Sequence, residues 1–65
     1  MTFIVYKAIG ILPYPRELRS GGWKADFALI EDGGMRPYDG VNVYSTRGEA
    51  IRASIDSARQ VIDDD

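Results

Sequence analysis

The sequence predicts a two-layer α+β domain: a three-stranded antiparallel meander, four-stranded if 41–44 forms a strand of its own, with one C-terminal amphipathic helix packed on one face. Three observations predict it. Apolar and polar residues alternate over Trp23 to Ile30 with the period of a half-buried strand. Thr46 followed by Glu49 opens a helix whose apolar residues recur at helical spacing. Glycine- and proline-rich breaks divide everything before Thr46 into short extended runs, and strands followed by one helix give a sheet with one face covered.

The first run, Phe3 to Tyr14, is rich in β-branched and aromatic residues and is closed by Pro13 and Pro15, so it reads as one strand. Gly10 within it marks a bulge or a close backbone approach. Pro15 to Gly22 reads as a loop, with Ser20-Gly21-Gly22 supplying the free φ angles of a turn. In the second strand Trp23, Ala25, Phe27 and Leu29 share the core face, while Lys24, Asp26 and Ala28 point the other way. Glu31-Asp32-Gly33-Gly34 makes a hairpin turn into a third strand at Met35 to Tyr38, where Pro37 fits only an edge or a bulge. Asp39-Gly40 interrupts that strand, and Val41 to Tyr44 resumes it with Val41 and Val43 on one face. In the helix, Ile51, Ile55, Ala58 and Ile62 form the expected buried stripe, flanked by Ala50, Ser54 and Val61, and Arg59 and Asp63 are spaced to pair at i, i+4.

Sixty-five residues make one small domain, 1–65, and residues 63–65 read as a solvated acidic tail. A chain this short hides only about 60% of its unfolded surface, and ordering costs of about 1.5 kcal/mol per residue nearly cancel the gain from burial. With no cysteine and no histidine, neither a disulfide nor a thiolate or imidazole metal site reinforces it. The fold holds by packing or by pairing with a second copy. Met1 and the compact order of elements are those expected of a complete chain.

The net charge is −2, yet without Asp63, Asp64 and Asp65 the remainder carries eight basic and seven acidic residues, so the body is nearly neutral. That balance speaks against a chain built mainly to hold polyanions. The longest apolar stretch, Ala8 to Leu12, is far short of the roughly 20 residues that span a bilayer, and Lys7 interrupts an N-terminus that lacks a basic leader segment. A cytoplasmic protein with no membrane partner is expected.

Catalysis has little to work with, because general base or nucleophilic duty falls to Asp, Glu, Lys or Tyr in a pocket that one sheet and one helix rarely enclose. Neither Gly21-Gly22 nor Gly33-Gly34 has the spacing of a phosphate loop, and no carboxylates have calcium-loop spacing. No catalytic, cofactor-binding or metal-ligating residue is assigned, and no cofactor is expected. Trp23 reads as core because it shares its strand face with Ala25, Phe27 and Leu29, which are expected to meet the isoleucine row of the helix in one interior.

Tyr6-Lys7-Ala8, Pro13-Tyr14-Pro15, Gly22-Trp23-Lys24-Ala25-Asp26-Phe27 and Thr46-Arg47-Gly48-Glu49-Ala50-Ile51 resemble a group of short uncharacterised bacterial proteins. That group carries a Tyr-Lys-Gly start, a Pro-rich link, a Gly-x-Trp-x-Ala strand and a Thr-x-x-Glu-Ala helix start. The resemblance covers nearly the whole chain, departs from the pattern at Ala8, and brings no activity with it. In layout the chain also resembles the three-stranded-sheet DNA-binding domains of the plant APETALA type and of integrase N-termini, which lay an uncovered sheet face in the major groove. Those domains stud that face with Arg and Lys. Here the matching positions hold Lys24, Asp26 and Ala28, and a carboxylate at the centre repels phosphate.

The expectation is therefore a non-enzymatic binding domain that meets a protein partner, or its own copy, through the open sheet face and its rim. The alternative is nucleic-acid binding by the same face. The candidate partner or nucleic-acid contacts are Arg16, Arg19, Lys24 and Arg36, with Tyr14 and Tyr38 beside the prolines.

Overall fold

A computed structural model describes residues 3–64. Along the chain run β1 (Ile4–Tyr6), β2 (Ile9–Pro13), β3 (Arg16–Glu17), β4 (Trp23–Lys24), β5 (Phe27–Glu31), β6 (Gly34–Tyr38), β7 (Val43–Tyr44) and α1 (Arg47–Asp63). β1-β2-β5-β6 form a four-stranded antiparallel sheet, and β3-β4-β7 form a second sheet of three. The α+β class, the antiparallel strands and the single C-terminal helix are those the sequence predicts.

The first extended run is not one strand. Lys7 and Ala8 adopt left-handed φ angles of 51° and 67° and turn the chain back so that Tyr6 faces Ile9 across a two-residue hairpin loop. The register passes through Gly10 without a bulge; a Cβ there would come within 2.8 Å of the Phe3 ring, which lies over it. A left-handed alanine is strained by the Cβ clash that glycine escapes. Ala8→Gly is expected to raise stability by about 0.5–1 kcal/mol, the relief being partly offset by a freer unfolded chain, and to raise Tm by a few degrees in a thermal melt.

The second hairpin turns at Asp32 and Gly33, with φ of 50° and 77°, as the sequence predicts. The segment expected to be a loop after Pro15 contributes β3, paired with β4. The third run divides into two elements: β6 ends at Tyr38, and β7 pairs with β4 in the other sheet. Val41 and Val43 stay exposed.

Ile11, Phe27 and Leu29 of the large sheet pack with Ala58 and Ile62 of α1, and Ile4, Tyr6, Ile9, Tyr38, Ile55 and Val61 close around them. Phe27 and Tyr38 stack with ring centroids 5.0 Å apart. The line of α1 pressed deepest is Ala50, Ser54, Ala58 and Ile62: Ala58 and Ile62 are as predicted, while in the first half of the helix the line runs one residue earlier, through the predicted flanks Ala50 and Ser54, and leaves Ile51 and Ile55 half-buried. Trp23 departs further from expectation: half-buried, it sits in the small sheet between Glu17 and Tyr44, outside the cluster that holds Phe27.

The helix ends are secured by side chains. The Thr46 Oγ1 accepts from the Glu49 N–H at 3.1 Å, and the Glu49 carboxylate takes hydrogen bonds from the hydroxyls of Ser45 and Thr46. At the other end Asp63 closes the helix rather than opening a tail. Lys7 Nζ lies 2.6 Å from its carboxylate and the Tyr6 hydroxyl donates to it, while Arg59, its predicted partner, stands over the Tyr6 ring. The carboxylates at this end oppose the helix dipole, and Lys7 offsets them. Asp64 caps the helix, and Asp65 lies outside the described residues.

Candidate functional site

Directly opposed residues of a regular antiparallel ladder share a face, and successive residues of a strand alternate between faces. Ile4, Ile11, Leu29 and Arg36 are successive partners across the large sheet, as are Pro13, Phe27 and Tyr38. Both rows carry the core that α1 covers. The alternate rows are Val5, Gly10, Ile30 and Met35, then Leu12, Ala28 and Pro37. Phe3, lying over Gly10, belongs with them.

The helix-free face of the large sheet is therefore apolar from edge to edge. Gly10 and Ala28 are its buried floor, Leu12 and Ile30 are half-buried, and Pro37 is exposed. Val5 is 65% exposed, Met35 63% and Phe3 55%. Single exposed apolar residues are ordinary on a protein surface; a contiguous patch without charge is a feature of binding surfaces. Two clefts lie beside α1, and Met35 reaches the rim of the first. One of about 250 Å³ is lined by Ile9, Leu29, Arg36 and Ile62, and one of about 310 Å³ by Phe27, Tyr38, Val41 and Val61.

The expectation for Asp26 is overturned. It is only 3% exposed, so it does not stand at the centre of an open face to repel phosphate. Arg16 and Lys24 are direct cross-strand partners, an arrangement that would be repulsive by itself. Asp26 answers it by accepting from Arg16 Nε at 3.0 Å and from the Gly40 N–H at 2.7 Å, while Lys24 Nζ donates to the Gly40 carbonyl at 3.1 Å. A Cβ on Gly40 would lie 2.6 Å from the Ala25 nitrogen, so only glycine lets the two backbones approach closely enough. Burial pushes the Asp26 carboxyl up, but the Gly40 N–H, the Arg16 guanidinium and the charge of Lys24 outweigh it and hold the pKa below its ordinary value. The Tyr14 hydroxyl is held above its ordinary value, by burial first and then by the carboxylates of Asp26 and Asp39.

The six predicted contact residues do not form one surface. Tyr14, Arg16 and Lys24 gather around Asp26. Arg36 lies on the helix-side face and donates to the Tyr38 hydroxyl, and Tyr38 is stacked on Phe27. Arg19 is exposed in the turn between β3 and β4. What sequence reading missed is the set Phe3, Val5, Leu12, Ile30, Met35 and Pro37. Carrying the Ala28 side of the second strand on to Ile30, and across the turn to Met35 and Pro37, would have found half of it. The other half needed the hairpin at Lys7-Ala8.

Compared with known proteins, the chain matches no family model, no curated protein and no solved structure. Among the described residues no helix is long and apolar enough to cross a membrane, and no group of three His, Cys, Asp or Glu is placed to hold a metal ion.

Proposed function

We propose that this chain is a small binding domain, without catalytic chemistry of its own, that docks another protein on the helix-free face of its large sheet. The observation that carries the reading is the uncharged sweep from Val5 to Met35 and from Leu12 to Pro37, in a chain that can spare little apolar surface. Met35 and Phe3 suit such a role: methionine adapts its shape to a partner, and an exposed ring brings large burial at one position. A cytoplasmic setting, in which a cysteine-free chain gives up no disulfides, belongs to the same proposal.

The nucleic-acid alternative needs a basic face with its charges turned outward. Arg16 and Lys24 are instead engaged with Asp26 and Gly40, and Arg36 belongs to the other side of the sheet. Labelled duplex DNA and RNA at low ionic strength are expected to give no anisotropy change with this protein, and salt-sensitive binding lost in Lys24→Ala would restore that alternative.

The direct test is Met35→Lys, which sets a charge on the exposed face at β6, where Met35 is 63% exposed. Partner capture from the native cell extract, quantified protein by protein, is expected to fall at least about tenfold for a specific partner. Arg52→Ala, on the outer side of α1, serves as the control and should leave capture unchanged. A partner retained equally by Met35→Lys and the wild type would show that docking takes place elsewhere.

A further inference from the structure

The two edges of the large sheet are not alike. In a two-residue hairpin the residues flanking the turn exchange both hydrogen bonds, and paired positions then alternate along the ladder. Counting from Asp32-Gly33, the pairs Glu31 with Gly34, Leu29 with Arg36 and Phe27 with Tyr38 are bonded, so the backbone groups of Met35 and Pro37 point outward from β6. Proline has no N–H to offer there, and β6 is a blunted edge. Counting from Lys7-Ala8, Tyr6 with Ile9 and Ile4 with Ile11 are bonded, so the N–H and C=O of Val5, and of Phe3 two residues earlier, point outward from β1. That edge has no proline, and the chain from 3 to 6 carries no charge. The nearest charge, Lys7, is already held by Asp63 at 2.6 Å.

We propose that β1 pairs in antiparallel, two-fold fashion with β1 of a second copy of this chain, joining two four-stranded sheets into one of eight. A two-fold axis at Ile4 sets Phe3 of each copy opposite Val5 of the other, so that the outward N–H and C=O groups of both residues are bonded. The paired segment, residues 3–5 of each copy, holds no charged side chain. Pairing of β1 with β1 is isologous and closes on itself, and Pro37 at the far edges stops the sheet from growing into a fibre.

This inference deepens the docking reading and rests on it for its purpose. Four strands of three to five residues give one face a flat footprint of roughly 300 Å², short of the roughly 800 Å² that each partner of a stable complex usually contributes. The dimer places two such faces side by side on one sheet and doubles the area offered to a partner.

Sedimentation of the full chain across nanomolar to millimolar concentration, with amide hydrogen exchange read at Val5, tests it. The expected result is a reversible monomer–dimer equilibrium in which the Val5 amide becomes protected as the dimer forms. Val5→Pro copies the device found at Pro37 and is expected to leave a folded monomer, judged by circular dichroism. Should that variant not fold, Val5→Lys, which adds a charge at the edge without removing a donor, is expected to shift the equilibrium at least tenfold toward monomer. A monomer throughout the range, or a dimer whose Val5 amide exchanges at the monomer rate, overturns the proposal. Failure of the docking reading looks different: Met35→Lys would keep its partner while the dimer and the Val5 protection remained.

Discussion

Asp26→Ala is expected to lower the unfolding free energy by about 2–4 kcal/mol, since it deletes a buried carboxylate that accepts two hydrogen bonds and leaves the Gly40 N–H without its partner. For a chain of 65 residues, whose whole stability is about 3–10 kcal/mol, that is a large fraction. The same substitution should alter the response to acid. Because the folded pKa of Asp26 lies below its ordinary value of 3.8, its contribution is fully present above that pH and is lost as the pH falls through the folded value. Glu49 and Asp63 are lowered as well, Glu49 by the hydroxyls of Ser45 and Thr46 and Asp63 by Lys7 and Tyr6, so the wild type should lose stability over the same acid range. Urea titrations at successive pH values are expected to show a flatter acid limb in Asp26→Ala, with part of the wild-type stability already missing at neutral pH. A variant with wild-type stability at pH 7 would show that the buried carboxylate contributes nothing.

Ser54→Leu carries the second large effect, a loss of about 1–3 kcal/mol from overpacking. Ser54 has no exposed surface and lies on the line Ala50, Ser54, Ala58 along which α1 meets the sheets, so a branched side chain there pushes the helix away. Its hydroxyl donates to the Ile51 carbonyl of its own helix at 2.7 Å. Ser54→Ala therefore removes only a local bond and is expected to stay within about 0.5 kcal/mol of wild type. Chemical denaturation of the pair separates size from polarity. Tolerance of leucine at 54 would place the contact line back on Ile51 and Ile55, where spacing alone puts it.

That one-residue offset shows what periodicity can and cannot give. It finds the side of the helix that faces inward, but small residues at Ala50, Ser54 and Ala58 let the helix approach closely, and closeness rather than hydrophobicity selects the central line. The same limit hid the candidate site. The hairpin at Asp32-Gly33 was legible because aspartate and glycine suit left-handed turn positions; the hairpin at Lys7-Ala8 was not, because neither residue announces one. Without it β1 is absent, the sheet has three strands, and its open face is read from Lys24, Asp26 and Ala28. Asp26 misled for a second reason: alternation reports direction and says nothing of a loop such as Asp39-Gly40 arriving to cover a side chain. Thr46, Glu49, Phe27 and Ile62 were legible because each is fixed by local chemistry or by strong apolar periodicity.

Met35 is a natural probe of the docking face, since its thioether is exposed and oxidises readily when solvent reaches it. Oxidative footprinting of Met35 should be carried out on the dilute purified protein and, in parallel, in the cells that make it. Strong protection in the cell, with full reactivity after purification, is the result predicted for a sheet face held against a partner. Equal reactivity in both settings would contradict it.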